Sequence, residues 1–240
     1  PDFCCKQKVG NRLSFIESFT LNFIEDNRWQ FIVTGLRNTL IISLFAVILG
    51  VALGFLVAII RSTHDKTGKL KILNAIAKIY LTVIRGTPVL VQLMIMYYVV
   101  FVVVDIGKIP VAILAFGINS GAYVAEIVRS GIMSIDQGQF EAGRSLGFNY
   151  RQTMVYIVMP QAIKNILPAL ANEFIVLLKE TSVSGYIGLM DLTRGGDIIR
   201  SQTYSALLPL IGVAVIYLVI VCFLSYLVGR LERRLRTSER

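Results

Sequence analysis

The sequence predicts an all-α membrane protein with about five transmembrane helices, and three observations carry that prediction. Hydrophobic residues make up 55% of the chain and charged residues only 16%, with a mean hydropathy of +0.68. A soluble domain carries roughly 25% charged residues, so this chain has too little charge to cover a water-facing surface. Its apolar residues fall in runs of about 20, the length a helix needs to cross the hydrocarbon core. They do not form the short alternating segments of a membrane barrel. Finally, the basic residues sit at the ends of these runs, as membrane orientation requires.

The first predicted span is Thr39 to Ile60, apolar except for Ser43, with Gly50 and Gly54 in the spacing that lets helix backbones approach closely in lipid. Arg61 to Lys71 follows as a basic stretch, then an amphipathic helix from about Leu70 to Ile84, broken at Arg85, Gly86, Thr87 and Pro88. The second apolar run is Pro88 to Val104. After the short connection 105–109 comes the third, Pro110 to Ile132. Ser134 to Tyr150 is polar. The fourth span covers about Lys164 to Leu178, with Pro160 and Pro168 close to its start. Glycines and mixed charges from Thr181 to Gln202 read as a connection, and the fifth span is Leu207 to Leu227.

Charge sets the orientation. Segments 61–78, 129–164 and 230–240 carry net charges of +4, +2 and +3, whereas 1–30, 105–109 and 179–200 each sum to zero. Positive and neutral segments alternate along the chain, which places the N-terminus outside and the C-terminus in the cytoplasm. Before the first span, Leu13, Ile16, Phe19 and Phe23 recur at helical spacing, with Trp29 beyond, and read as an interfacial helix. Three regions result: an extracytoplasmic segment 1–33, a transmembrane domain 34–232 and a basic cytoplasmic tail 233–240. The chain starts Pro1-Asp2-Phe3 without an initiator Met, and an outside N-terminus has to be exported. The expectation is that a longer upstream region precedes it.

Several function classes are disfavoured. The net charge of +9 is not a basic stripe with interleaved aromatics, so no nucleic-acid partner is expected. Cys4, Cys5 and Cys222 make neither a disulfide framework nor a zinc spacing. The single histidine, His64, lies in a basic loop without a nucleophile. Around Gly68-Lys69, Thr63 and Leu70 stand where a phosphate-binding loop needs Gly and Ser or Thr. An ion-coupled secondary transporter is the alternative, but the internal repeats of that class are not evident.

Between the third and fourth spans the sequence reads Glu141-Ala142-Gly143, three residues, Gly147, nine residues, then Ile157-Val158-Met159-Pro160. This segment, 137–160, resembles the EAA coupling loop of binding-protein-dependent ABC importer permeases, with Gly143 replacing an Ala and Met159 a Leu. A helix is expected to start near Gln139 or Phe140, with Glu141 in its first turn, where a carboxylate complements the helix dipole. Gly147 permits a left-handed turn, and Pro160 is expected to redirect the chain into the membrane. The stretches Arg85 to Gln92, Ile118 to Arg129 and Pro160 to Pro168 running on to Glu173 are similar to the polar amino-acid branch of these permeases (histidine, arginine, glutamine or glutamate type).

The resemblance covers about residues 35–234. It implies the type I importer permease fold in a multi-pass protein of the prokaryotic cytoplasmic membrane, working as a dimer with an identical or homologous second permease chain. It further implies two cytoplasmic ABC ATPase subunits and an external amino-acid-binding protein, separate or fused upstream. No cofactor is expected in this chain, ATP and Mg being bound by the partner ATPase. Glu141, Ala142, Gly143, Gly147, Ile157 and Pro160 are then the coupling residues. For the substrate pathway, ionisable and amide side chains at membrane depth are the candidates. Glu173 could accept an ammonium group, with Gln92, Asn119, Ser120 and Tyr123 as polar lining. Glu126, three residues from Arg129, reads equally well as one half of a surface ion pair, and Arg85 as a marker of the cytoplasmic boundary.

Overall fold

The computed structural model describes residues 14–104 and 106–237. Leu13, Cys4, Cys5 and the rest of residues 1–13 lie outside the described residues. A short helix α1 (Phe15–Phe19) and a π-helical turn (Thr20–Ile24) open the described chain, so helix forms where the apolar spacing placed it. Phe15 and Ile16 are exposed, while Asn22 is buried and its Oδ1 accepts from Thr203 Oγ1 at 2.8 Å.

Among the described residues, four helices are long and apolar enough to cross a membrane, or five if a bent pair is counted as one span. The first, α2 (Trp29–Thr67), is longer than the sequence suggests at both ends. Arg61 to Lys66 continue the helix instead of ending it, because charges are compatible with helix once it has left lipid. The stop is Gly68, with φ +65°. The bent pair is α3 (Lys71–Gly86) and α4 (Val89–Ile95, extended by a π turn to Val100), meeting at 110°. Gly86 and Pro88 break it where the sequence indicates: Pro disfavours helix in the residue before it. The second apolar run is thus helical only to Val100. At 1.5 Å per residue that limb is about 18 Å long, short of the ~30 Å core.

The third span is α5 (Lys108–Met133). It packs along α2 in the most extensive helix pairing among the described residues. A Cβ on Gly50 would lie 2.9 Å from Ser120 Oγ, and one on Gly54 would lie 2.5 Å from a Val124 methyl. The Gly50–Gly54 spacing therefore has a partner, and dispersion contact between backbones, the main adhesive force in lipid, is what it gains.

Helices α6 (Gln137–Ser145) and α7 (Tyr150–Thr153) form the polar segment. A π turn (Met154–Val158) then leads directly into α8 (Met159–Glu180), the whole stretch from Tyr150 counting as one membrane-length helix. Pro160 thus does not redirect the chain as expected. A proline interferes with the carbonyl four residues back. The π turn immediately upstream widens the backbone there, so the helix continues through it. A 3-10 turn (Thr181–Ile187) and α9 (Leu192–Thr203) fill what the sequence suggested was a connection. Last comes α10 (Leu207–Thr237), which carries helix five residues into the 233–240 tail. Its lipid-length face is exposed, with Leu210, Val215, Leu218 and Phe223 all solvent-accessible. In lipid such exposure carries no hydrophobic cost.

Candidate functional site

The alternation of the spans gives the bundle two ends. At one, Asn38 Nδ2 donates to Met190 O at 2.8 Å and Lys108 Nζ to Gly188 O at 3.0 Å. Here Asp191 is fully buried. Its carboxylate accepts from Arg194 N at 2.6 Å and Gly185 N at 2.9 Å, capping α9. Burial outweighs these bonds and pushes its pKa up to about 6.

The opposite end carries the 137–160 segment. Helix α6 starts at Gln137, with Asp136 as N-cap accepting from Gly138 N at 2.6 Å. The start lies two to three residues earlier than expected. Glu141 therefore falls beyond the first turn and is exposed, a correction to the dipole role assigned to it. Ala142 is exposed beside it, and Gly143 is buried. A Cβ on Gly143 would lie 2.6 Å from Thr153 Oγ1, which accounts for glycine where the loop pattern has alanine. Gly147 has φ +79°, the left-handed turn foreseen for it. Asn149 and Gln152 then close a reciprocal capping box on α7, with bonds of 2.9 and 3.0 Å. Ile157 is half-buried in the π turn, and Pro160 is exposed. The segment is tied to the membrane helix by Gln161 Nε2, which donates to Gln139 Oε1 at 3.1 Å. Leu146 and Tyr156 remain about 70% exposed, and Val155 is 58% exposed.

Between the ends, the five pathway candidates split into two sets. Gln92 and Asn119 are engaged with each other: Asn119 Nδ2 donates to Gln92 Oε1 at 3.0 Å, and Gln92 Nε2 donates to Ile84 O at 2.8 Å and Thr87 Oγ1 at 2.8 Å. These amides hold the broken pair α3–α4 at its bend. Ser120 Oγ donates to Glu173 Oε1 at 2.9 Å, joining α5 to α8. Tyr123 and Glu173 line a cleft of about 500 Å³ together with Arg85, Glu126, Asn165 and Ser134. That volume lies within the range of small-molecule sites.

Arg85, read from the sequence as a marker of the cytoplasmic boundary, also lines this cleft. Its guanidinium lies 5.9 Å from the Tyr123 ring centroid and its Nη1 3.7 Å from Glu126 Oε2. Glu126 also meets Arg129, at 3.4 Å. The i,i+3 pair is real, but the second cation comes from a distant helix, and no local spacing signals it. The cleft thus presents a cation and two carboxylates around an aromatic ring. An acidic side chain at membrane depth costs about 2.5–3.5 kcal/mol, whereas an interhelical hydrogen bond returns ~0.6 kcal/mol on average. The bond from Ser120 therefore does not offset the presence of Glu173. The arrangement is better suited to an additional cationic group.

The family model described as binding-protein-dependent transport system inner membrane component matches residues 50–237. The glutamine transport system permease protein GlnP of Escherichia coli (strain K12) is 37% identical over 208 residues, covering 85% of this chain and 93% of that one. A solved amino acid ABC transporter, crystallised with histidines, superposes with a TM-score of 0.79 at 44% identity, covering 85% of this chain and 94% of the other. The MetNI methionine ABC transporter in an inward-facing conformation gives a TM-score of 0.73 at 21% identity, over 88% and 99%, a likeness of fold alone.

Proposed function

This chain belongs to the family of binding-protein-dependent transport system inner membrane components, and on that premise we propose that it is the membrane-spanning subunit of an ATP-driven importer for polar amino acids. Permeases of this family are not themselves catalytic. ATP and Mg are bound and hydrolysed by two cytoplasmic partner subunits, an external binding protein delivers the substrate, and a second permease chain completes the pathway. The chain lies in the cytoplasmic membrane with segment 137–160 and its C-terminus inside. That orientation is supported by the positive charge of the ends so placed.

The observation that carries the substrate class is the cleft shared by Arg85, Tyr123 and Glu173. A zwitterionic amino acid needs an acceptor for its ammonium and a donor for its carboxylate. Glu173 supplies the first and Arg85 the second, while Tyr123 offers an aromatic face. The exposed Leu146 and Tyr156 give the ATPase an apolar foothold on the coupling segment.

The test is co-purification from the native membrane, with ATP hydrolysis assayed against a panel of amino acids plus binding protein. The expected outcome is a nucleotide-binding subunit that comes along and is stimulated by one or a few polar amino acids. A chain that purifies without an ATPase would overturn the reading in favour of an ion-coupled transporter.

A further inference from the structure

A second cavity, of about 670 Å³, opens at the coupling end between α2, α5 and α6. Arg61, Arg129 and Arg144 all line it, and Asp65 is its only acid. Arg129 is engaged by Glu126. Among the described residues, Arg61 and Arg144 make no ion pair or side-chain hydrogen bond, and Arg61 Nε is buried without a partner. A buried orphan donor is rare in a folded protein and marks a missing acceptor. Three guanidiniums from three helices are suited to a phosphate, whose oxygens accept paired N–H groups.

The surroundings specify which phosphate. A groove of about 340 Å³ adjoins the cavity and shares Ala58, Ser62, Ile132 and Tyr150 with it. The rest of the groove is largely apolar, with Phe55, Val128 and Met154 among its walls, and beside it Ile59 is 61% exposed on the lipid-facing surface. A free phosphate would use the arginines and leave the groove idle. A polar end joined to an apolar channel at the cytoplasmic membrane boundary matches one occupant.

We infer that this paired cavity and groove bind an anionic phospholipid of the inner leaflet, with its phosphate among Arg61, Arg129 and Arg144 and an acyl chain along Phe55, Val128 and Met154. The inference rests on the orientation proposed above. Because Arg61 lies on α2 and Arg144 on the coupling helix α6, the bound headgroup bridges the membrane bundle to the segment that meets the ATPase.

The experiment is native mass spectrometry of the complex purified from membrane and exchanged into nanodiscs containing phosphatidylglycerol or phosphatidylcholine. Phosphatidylglycerol should be retained selectively. Arg61→Ala/Arg144→Ala should weaken its retention by about thirty-fold, each cation near an anionic surface contributing roughly fivefold. Arg61→Lys/Arg144→Lys, which keeps the charge, should lose less. Ser62→Trp fills the junction of cavity and groove without changing charge, and should also displace the lipid. Equal retention of both lipids, or retention indifferent to the double alanine and Ser62→Trp variants, overturns the site. Displacement of phosphatidylglycerol by inorganic phosphate overturns the lipid as its occupant. Transport is not read in this experiment. A complex that retains phosphatidylglycerol but moves no amino acid therefore counts against the proposed function and not against this site.

Discussion

The Ser120 hydroxyl is held between Glu173 and Gly50: Ser120 Oγ donates to Glu173 Oε1 at 2.9 Å, and a Cβ on Gly50 would lie 2.9 Å from Ser120 Oγ. Ser120 is the thirteenth residue of the 26 in its helix, so the contact lies at the middle of the span. The backbone packing of α2 against α5 thus fixes the hydroxyl that orients the membrane carboxylate.

Glu173→Gln keeps the shape and an acceptor for Ser120 but removes the charge. A hydrogen bond to a charged group is worth about 1.5–3 kcal/mol, so apparent affinity for the amino acid should fall by at least about tenfold. Uptake into proteoliposomes measures it. Unchanged affinity and selectivity would remove Glu173 from the substrate site.

Gly143→Ala restores the residue of the general loop pattern, yet here it should impair coupling. The new methyl meets Thr153 at 2.6 Å, and overpacking of this kind costs about 1–3 kcal/mol. The double variant Gly143→Ala/Thr153→Ala should recover substrate-stimulated ATP hydrolysis. A single variant as active as the parent would show that α6 and α7 are not packed this way when the ATPase is docked.

Glu141→Lys and Gly147→Asp should leave membrane insertion intact while separating ATP hydrolysis from transport. At Gly147, with φ +79°, a side chain adds roughly 1–2 kcal/mol of strain. At Glu141 the substitution reverses an exposed charge on the segment proposed to meet the ATPase. Loss of the assembled complex, seen as failure to co-purify, would make the segment structural instead.

Asp191 gives a pH dependence of defined sign. Its pKa rises from 3.8 to about 6 on folding, so the fold favours its protonated form. Its contribution is fully present below about pH 4 and is lost as pH rises through about 6. The gap corresponds to roughly 3 kcal/mol. Thermal unfolding midpoints should therefore fall for the parent, relative to Asp191→Asn, between pH 4 and pH 7. Parallel profiles for the two proteins would contradict the assignment.

The spans were legible because lipid leaves a strong compositional signal, and the break at Gly86–Pro88 because both residues act locally. The coupling turn at Gly147 was legible for the same reason. Helix α9 was not. Its glycines at 195 and 196 read as breakers, yet a Cβ at 195 would lie 2.6 Å from Phe31 O and one at 196 would lie 2.5 Å from a Val213 methyl. They serve packing, which no local propensity reveals. The charges Arg194, Asp197 and Arg200 read as a loop but form i,i+3 pairs on one helix face. Around the cleft, Glu173 and Tyr123 stood out as polar residues at depth. Gln92 and Asn119 stood out equally but are engaged in one hydrogen-bonded chain with Ile84 and Thr87, and Arg85 read as a boundary marker because its partners Tyr123 and Glu126 lie on α5. Tertiary pairing decided each case.

The uninterrupted run from Tyr150 through the π turn to Glu180 has a mechanical meaning. Glu173 lies 23 residues beyond Tyr150, about 35 Å along the axis at the helical rise. Pro160 is absorbed without a break, and Pro168, inside α8, is the one interior proline between them, removing a backbone hydrogen bond five residues before Glu173. A tilt imposed on Tyr150 from the cytoplasm would reach the carboxylate along this one helix, with Pro168 the place where the stroke of a partner could be turned into a bend beside the charge.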